Sequence, residues 1–210
     1  LEVLINNRYE DLIKYHNKTY AMKFKNIISK VIEKDKKFKS KKFKLSKLII
    51  KTLFKTMAYK DEFEVARLYT DGRFEKYLNE NFEGNYNYNF YLAPPIFSKK
   101  SKVDGKLLKI KFGGWLFNVF KLLSKLKFLR GTKLDPFGYL NERKKERGLI
   151  RDYEEIITDI GIKINKSNYE TAVKIASVPD QIRGFGHVKE KNIKEAINYR
   201  TDLLNSFHEN

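Results

Sequence analysis

The chain contains no cysteine. That absence excludes disulfides, thiolate zinc sites, cysteine nucleophiles and cysteine-held iron–sulfur clusters from anything the chain does by itself. Histidine is nearly as scarce. His16, His187 and His208 lie far apart, and none stands in an HExxH or comparable spacing, so no protein-only metal site is expected. His16 falls on the apolar stripe of its segment and reads as a structural histidine. No stretch reaches the roughly 18 consecutive apolar residues of a membrane span, and no leader-like pattern opens the chain. It begins at Leu1 and runs straight into a helical pattern, as expected of a soluble, cytoplasmic piece of something longer. Nucleophile elbow, Walker loop and GDG-type cofactor motif are all missing, and the carboxylates lie mostly on charged helix faces. No internal repeat shows.

What is present supports a folded domain. With 210 residues, 41% hydrophobic and 14% aromatic, the chain has the length and apolar content for one good-sized core, and a single domain over 1–210 is expected. Its net charge of +18 raises nucleic acid and membrane surfaces as partners. The form of that charge argues against both: 35 lysines stand against 9 arginines, with 17 asparagines beside them, the usage of an AT-rich genome. Base-edge recognition would favour arginine.

Periodicity predicts a mainly α domain with a small β-hairpin at about residues 86–112. Apolar residues recur at helical steps from Leu1 to about Glu33, as one helix or two nearly continuous ones. The run KDKKFKSKKFK, residues 34–44, has no periodicity and is expected to be an exposed basic connector. Helical spacing resumes from Leu45 to Tyr69, where Lys60–Glu64 and Glu64–Arg67 are spaced to pair, and again from Arg73 to Phe82. Tyr86 to Leu92 and Leu108 to Phe112 alternate as strands around an Asp104-Gly105 turn signal. Trp115 to Leu129 forms a lysine-bordered amphipathic helix, which the neighbouring apolar surface is expected to bury. Helices are also expected over Asn141 to Ile160, with Asn141 as cap, Gly161 as end, Tyr139 in its core and Glu142, Arg143, Lys145, Glu146 and Arg147 on its exposed face, over Tyr169 to Val178, and over Lys189 to Phe207.

Two segments have a shape of their own. In Leu129 to Glu154, LRGTKLDPFGYLNERKKERGLIRDYE, Gly131, Gly138, Pro136 and Asp135 make a connector of fixed geometry between helices. In IRGFGHVKE, Ile182 to Glu190, two glycines free the backbone and Arg183, His187 and Lys189 bring donors within a few residues. An anion cradle and a tight interhelical turn both fit, and with no strand before the GxG the turn is favoured.

The blocks MAYKDEFEVARLY (57–69), FEGNYNYNFYLAPP (82–95), FGGWLFNVFKLLSKLKFLRGTKLDPFGYLNERKKERGLI (112–150) and IRGFGHVKE (182–190) resemble, in order and at similar spacing, the C-terminal domain of the fused indolepyruvate ferredoxin oxidoreductases, in the 2-oxoacid:ferredoxin oxidoreductase group. The chain departs from that pattern in having Gly113-Gly114-Trp115 where Gly-Pro-Trp is usual, and Lys at many Arg positions. The resemblance implies a parent enzyme that oxidatively decarboxylates a 2-oxo acid on thiamine diphosphate with Mg, passes electrons through iron–sulfur clusters to ferredoxin, and makes an acyl-CoA. Those cofactors are expected in other domains and none in this segment. The chain itself would be accessory, supporting assembly on other domains or subunits of the oxidoreductase. The docking or anion-binding candidates are Arg130, Asp135, Tyr139, Arg143, Arg183 and His187, with no catalytic residue among them. The alternative is a basic binding module for ferredoxin or nucleic acid.

Overall fold

The computed structural model describes residues 1–38, 43–94, 108–184 and 186–209, and the side chain of His187 is outside the description. Among the described residues are nine α-helices and one antiparallel two-stranded hairpin, so the fold is mainly α with a small hairpin. The chain divides into two compact units, one made of Leu1–Tyr59 with Lys145–Asn210 and the other of Lys60–Lys144.

In the first unit, α1 (Glu2–Tyr15) and α2 (Lys18–Lys37) are separate helices. The break comes from Asn17, whose side chain accepts from the Tyr20 amide at 2.8 Å and so starts α2. His16 sits half-buried at the break, edge-on to Tyr20. The expected connector at 34–44 starts too early: α2 continues to Lys37, and residues 39–42 lie outside the described ones. The cause is Asp35, 1% exposed, which accepts from the Ser46 amide and hydroxyl at 3.0 and 2.6 Å and from the Tyr169 hydroxyl at 2.9 Å. A carboxylate with three donors holds this turn of helix inside the unit, lysine-rich though it is.

Helix α3 (Lys44–Met57) supplies Leu45, Ile49, Ile50, Leu53 and Met57 to the same core. The helix expected from Leu45 to Tyr69 is therefore two helices, because the chain breaks at 58–61 before α4. From the far end of the chain come α7 (Asn141–Lys163), α8 (Tyr169–Ser177) and α9 (Gly186–Glu209), which contribute Ile150, Tyr153, Ile157, Ile175 and Phe207. Tyr153 is buried between the Thr52 hydroxyl at 2.6 Å and the Ala176 carbonyl at 2.8 Å, and burial pushes its phenol up. Gly161 does not end α7, which runs two residues further. Asn168 precedes α8 without capping it through its side chain. Instead its amide donates to the carbonyls of Lys163 and Phe207 and its oxygen accepts from the Asn165 amide. Pro179 does not simply stop α8 but opens a 3₁₀ turn, Val178–Gln181.

The second unit is built on rings. Helix α4 (Glu62–Thr70) packs on α6 (Leu116–Lys125), with α5 (Arg73–Asn81) beside α4. Strands β1 (Asn89–Leu92) and β2 (Ile110–Gly113) pair Phe90 with Phe112 and Leu92 with Ile110. The hairpin is shorter than the alternation predicts: Tyr86 and Tyr88 precede β1, and the Asp104-Gly105 turn signal is outside the described residues. Tyr69 stacks on Phe120 at 5.2 Å and meets Phe74 and Phe90 edge-on, so one tyrosine joins α4, α5, α6 and the hairpin. Each such ring is worth about 1.5–3 kcal/mol in removed apolar surface.

Candidate docking site

The connector between α6 and α7 is held by the first residues of α4. Asp61 sits at the N-cap and accepts from the Glu64 amide at 2.8 Å. The same carboxylate receives Arg130 in a two-pronged pair, Nε to Oδ2 at 2.5 Å and Nη2 to Oδ1 at 2.8 Å. Both side chains are buried, 6% and 3% exposed. The next residue, Glu62, takes Arg143 through Nε and Nη2, each at 3.2 Å. The residue after that, Phe63, lies under the Arg130 guanidinium and meets Phe137 edge-on at 5.3 Å. Three consecutive residues, Asp61-Glu62-Phe63, thus grip the connector at Arg130, Arg143 and Phe137. Placing both carboxylates in the first turn of α4 also suits the positive end of its dipole. Glu64 turns the other way and pairs with Arg67, whose guanidinium is raised first by that hydrogen bond.

Inside the connector Asp135 acts as an anchor. Oδ1 accepts from the amides of Phe137 and Gly138 at 3.0 and 2.9 Å, and Oδ2 accepts from the Gly131 amide at 2.8 Å. The two glycines serve different needs. Gly131 has φ +74°, which a side chain would strain. Gly138 is needed for space: a Cβ there would come within 2.9 Å of the Asp135 carboxylate. Asn141 is the first residue of α7 itself, so the expected cap lies one residue inside the helix.

Five of the six candidates separate on this geometry, and the side chain of the sixth, His187, lies outside the description. Arg130, Asp135 and Arg143 are buried and committed to partners within their own unit. Tyr139 is 63% exposed and not part of a core, and its hydroxyl donates to the Lys133 carbonyl at 2.7 Å. Leu134, next to Lys133 in sequence, is 76% exposed. Arg183 is exposed; its Nε donates to the Asp180 carbonyl at 2.8 Å, and its own carbonyl accepts from Asn192. Lys189 does not converge with it, because it pairs with Glu146 of α7. Helix α9 starts at Gly186, three residues earlier than expected, after Gly184 at φ +91°. Among the described residues of 182–190, those from Gly186 onward are helical.

Two errors in the sequence reading have one cause. Arg143 and Glu146 were expected on the exposed face of α7, yet both are buried. They continue the stripe of Ile150, Tyr153, Ile157 and Ile160 at steps of three and four, so the buried face of α7 opens with two charges that find partners. Asp61 was missed as well. The spacing Asp61…Glu64, a cap residue followed three later by Glu, is the signal that could have found it.

Elsewhere an open depression is lined by His16, Asn17, Tyr20 and Lys23 among others. Among the described residues no three His, Asp or Glu side chains gather to hold a metal, and no helix is long and apolar enough to cross a membrane. Residues 1–201 match the model of a family of unknown function, DUF6537. No curated protein and no solved structure matches the chain.

Proposed function

The chain belongs to DUF6537, and we propose that it is the accessory C-terminal domain of a 2-oxoacid:ferredoxin oxidoreductase of the indolepyruvate type, a piece that supports assembly by docking on other domains or subunits. In this reading thiamine diphosphate, Mg, the iron–sulfur clusters and CoA belong to the parent's other domains, and the chain contributes a rigid surface. The observation that carries the docking role is the connector. It is braced from within by Asp61, Glu62, Phe63 and Asp135, while Leu134 and Tyr139 face outward. A loop braced on its inner side with large apolar groups on its outer side loses little freedom on binding. The resemblance of four sequence blocks supports this reading of the parent.

The test uses the complete gene product. Thiamine-diphosphate-dependent reduction of ferredoxin by an aryl 2-oxo acid is the expected activity, and its absence would count against the parent assignment. Leu134→Ser with Tyr139→Ala should leave this chain's helicity intact while the assembled complex dissociates in size-exclusion chromatography. Unchanged assembly would remove the connector's docking role. Gly138→Val is a poor probe here, since the space beside Asp135 ties that glycine to folding.

A further inference from the structure

The apolar arc of α6 is wider than its own unit covers. Leu116, Phe117 and Phe120 are buried and Leu123 packs against them. At about 100° per residue, Trp115, Val119 and Leu122 fall within about 60° of one another on an adjoining strip. Trp115 and Leu122 are each 60% exposed and Val119 is 36% exposed. Just beyond the helix, Phe128 is exposed too. A helix that had finished its packing would carry polar residues along this strip.

The sequence that carries the strip has one sign of charge. From Gly105 to Leu134 the sequence holds seven lysines and one arginine and no acidic residue. Arg130 is neutralised by Asp61, and Lys121 lies between Glu75 at 3.3 Å and the face of Phe117. Lys109, Lys111, Lys125 and Lys133 are exposed. On the outer face of the hairpin Tyr91, itself exposed, pairs across the strands with Lys111.

We propose that the Trp115–Val119–Leu122 strip of α6 with its lysine border is a docking site for a protein surface that presents an apolar centre rimmed by Asp and Glu. Charge selects this occupant. A second copy of the chain would bring one lysine-rich segment against another. A lipid surface suits a helix that lays its broad apolar face into the bilayer, whereas α6 spends its broad face on Phe117, Phe120 and Leu116 and keeps only an edge. An aromatic anchor in a narrow apolar strip with a charged rim is the anatomy of a protein–protein contact. The proposal goes beyond the assembly role and stands whichever parent enzyme the chain serves.

Trp115 is the chain's only tryptophan, so it reports on its own site. The full chain is titrated with a synthetic amphipathic helical peptide whose Leu/Phe face is bordered by Glu. The same titration is repeated with a peptide bordered by Lys, with phosphatidylglycerol–phosphatidylcholine vesicles, and with an oligo-dT strand. A saturable blue shift with the Glu-bordered peptide alone is expected, weakened by salt and reduced about tenfold or more by Leu122→Asp. Leu122→Ser replaces that variant should it lose helicity. No shift with the Glu-bordered peptide, an equal response to the Lys-bordered one, or indifference to both Leu122 substitutions would overturn the proposal. A blue shift of the same size on vesicles would reassign the strip to membranes, and a response to oligo-dT would reassign it to nucleic acid.

Discussion

Each unit buries an aspartate that receives a side chain from far along the sequence, Asp35 in the first and Asp61 in the second, and these two are satisfied by opposite means. In the first unit Asp35 accepts from neutral donors, among them the amide and hydroxyl of Ser46 and the hydroxyl of Tyr169. In the second, Asp61 is matched by the full positive charge of Arg130 and also caps α4. A hydroxyl network fixes where helices meet, and removing its centre leaves unpaired dipoles. An ion pair fixes a loop to a helix, and removing one member leaves an unpaired charge, which costs more in a buried place.

Truncating the two aspartates gives the most direct test of that difference. Asp61→Ala removes the carboxylate from the buried Arg130 guanidinium and uncaps α4, so a loss of about 3–5 kcal/mol is expected, with local unfolding of residues 60–144. Asp35→Ala leaves the Ser46 and Tyr169 donors without an acceptor and should cost about 1–3 kcal/mol. Urea unfolding followed by far-UV circular dichroism orders the two, and hydrogen exchange locates the damage. Pairing Asp61→Leu with Arg130→Met should recover much of the loss that Asp61→Leu causes alone. If the double variant is no better than the single, the charge pair is not what holds the connector.

The glycines of the connector sharpen the comparison at smaller cost. Gly138→Ala pushes a methyl group towards the Asp135 carboxylate, which already receives three backbone amides and has little room to yield. A loss of about 1–3 kcal/mol is expected. At Gly131 a Cβ meets nothing within 4 Å, so Gly131→Ala carries only the strain of φ +74°, about 1–2 kcal/mol. The two substitutions separate by a partner test. Asp135→Ala should relieve Gly138→Ala and leave the cost of Gly131→Ala as strain alone.

Much of this architecture is legible in the sequence, because it follows from repeating patterns. The apolar stripes of α2, α3, α6 and α9 place the helices, and the alternation through Phe90 and Phe112 places the hairpin. The connector also reads as rigid from Asp135, Pro136 and its glycines. What periodicity cannot show is the partner of a buried charge. Arg143 and Glu146 look solvated on a helix rich in charges, and Asp35 looks like part of a lysine tract. Each is buried because of a residue far away in sequence: Glu62, Lys189 and Tyr169 respectively. The exposed strip on α6 is hidden for the converse reason, since an apolar residue on a helix reads as core until the neighbours are counted.

A last, small effect tests the first unit's surface pairing. Burial pushes the Asp180 carboxyl up, but the hydrogen bond and charge of Lys51 at 2.8 Å, with Lys55 adding its charge at 3.5 Å, outweigh it and hold the group below the usual carboxylate range. Lys55 moves the other way for a partner: burial lowers it, repulsion from Arg183 and Lys51 adds to that, and attraction to Asp180 does not make up the difference. Lys51 has the larger effect on Asp180 of the two lysines, and Lys55 also donates to the Pro179 carbonyl at 2.8 Å. Because the folded-state carboxyl is depressed, its contribution is present above the unfolded carboxylate value, about 4, and is lost as pH falls through the lower folded value. Asp180→Asn should lower stability by no more than about 1 kcal/mol near neutrality. The difference from the parent chain should then shrink towards zero as the pH drops below about 4. A constant difference across that range would mean that packing at the 3₁₀ turn, and not the Lys51 pair, holds Asp180 where it is.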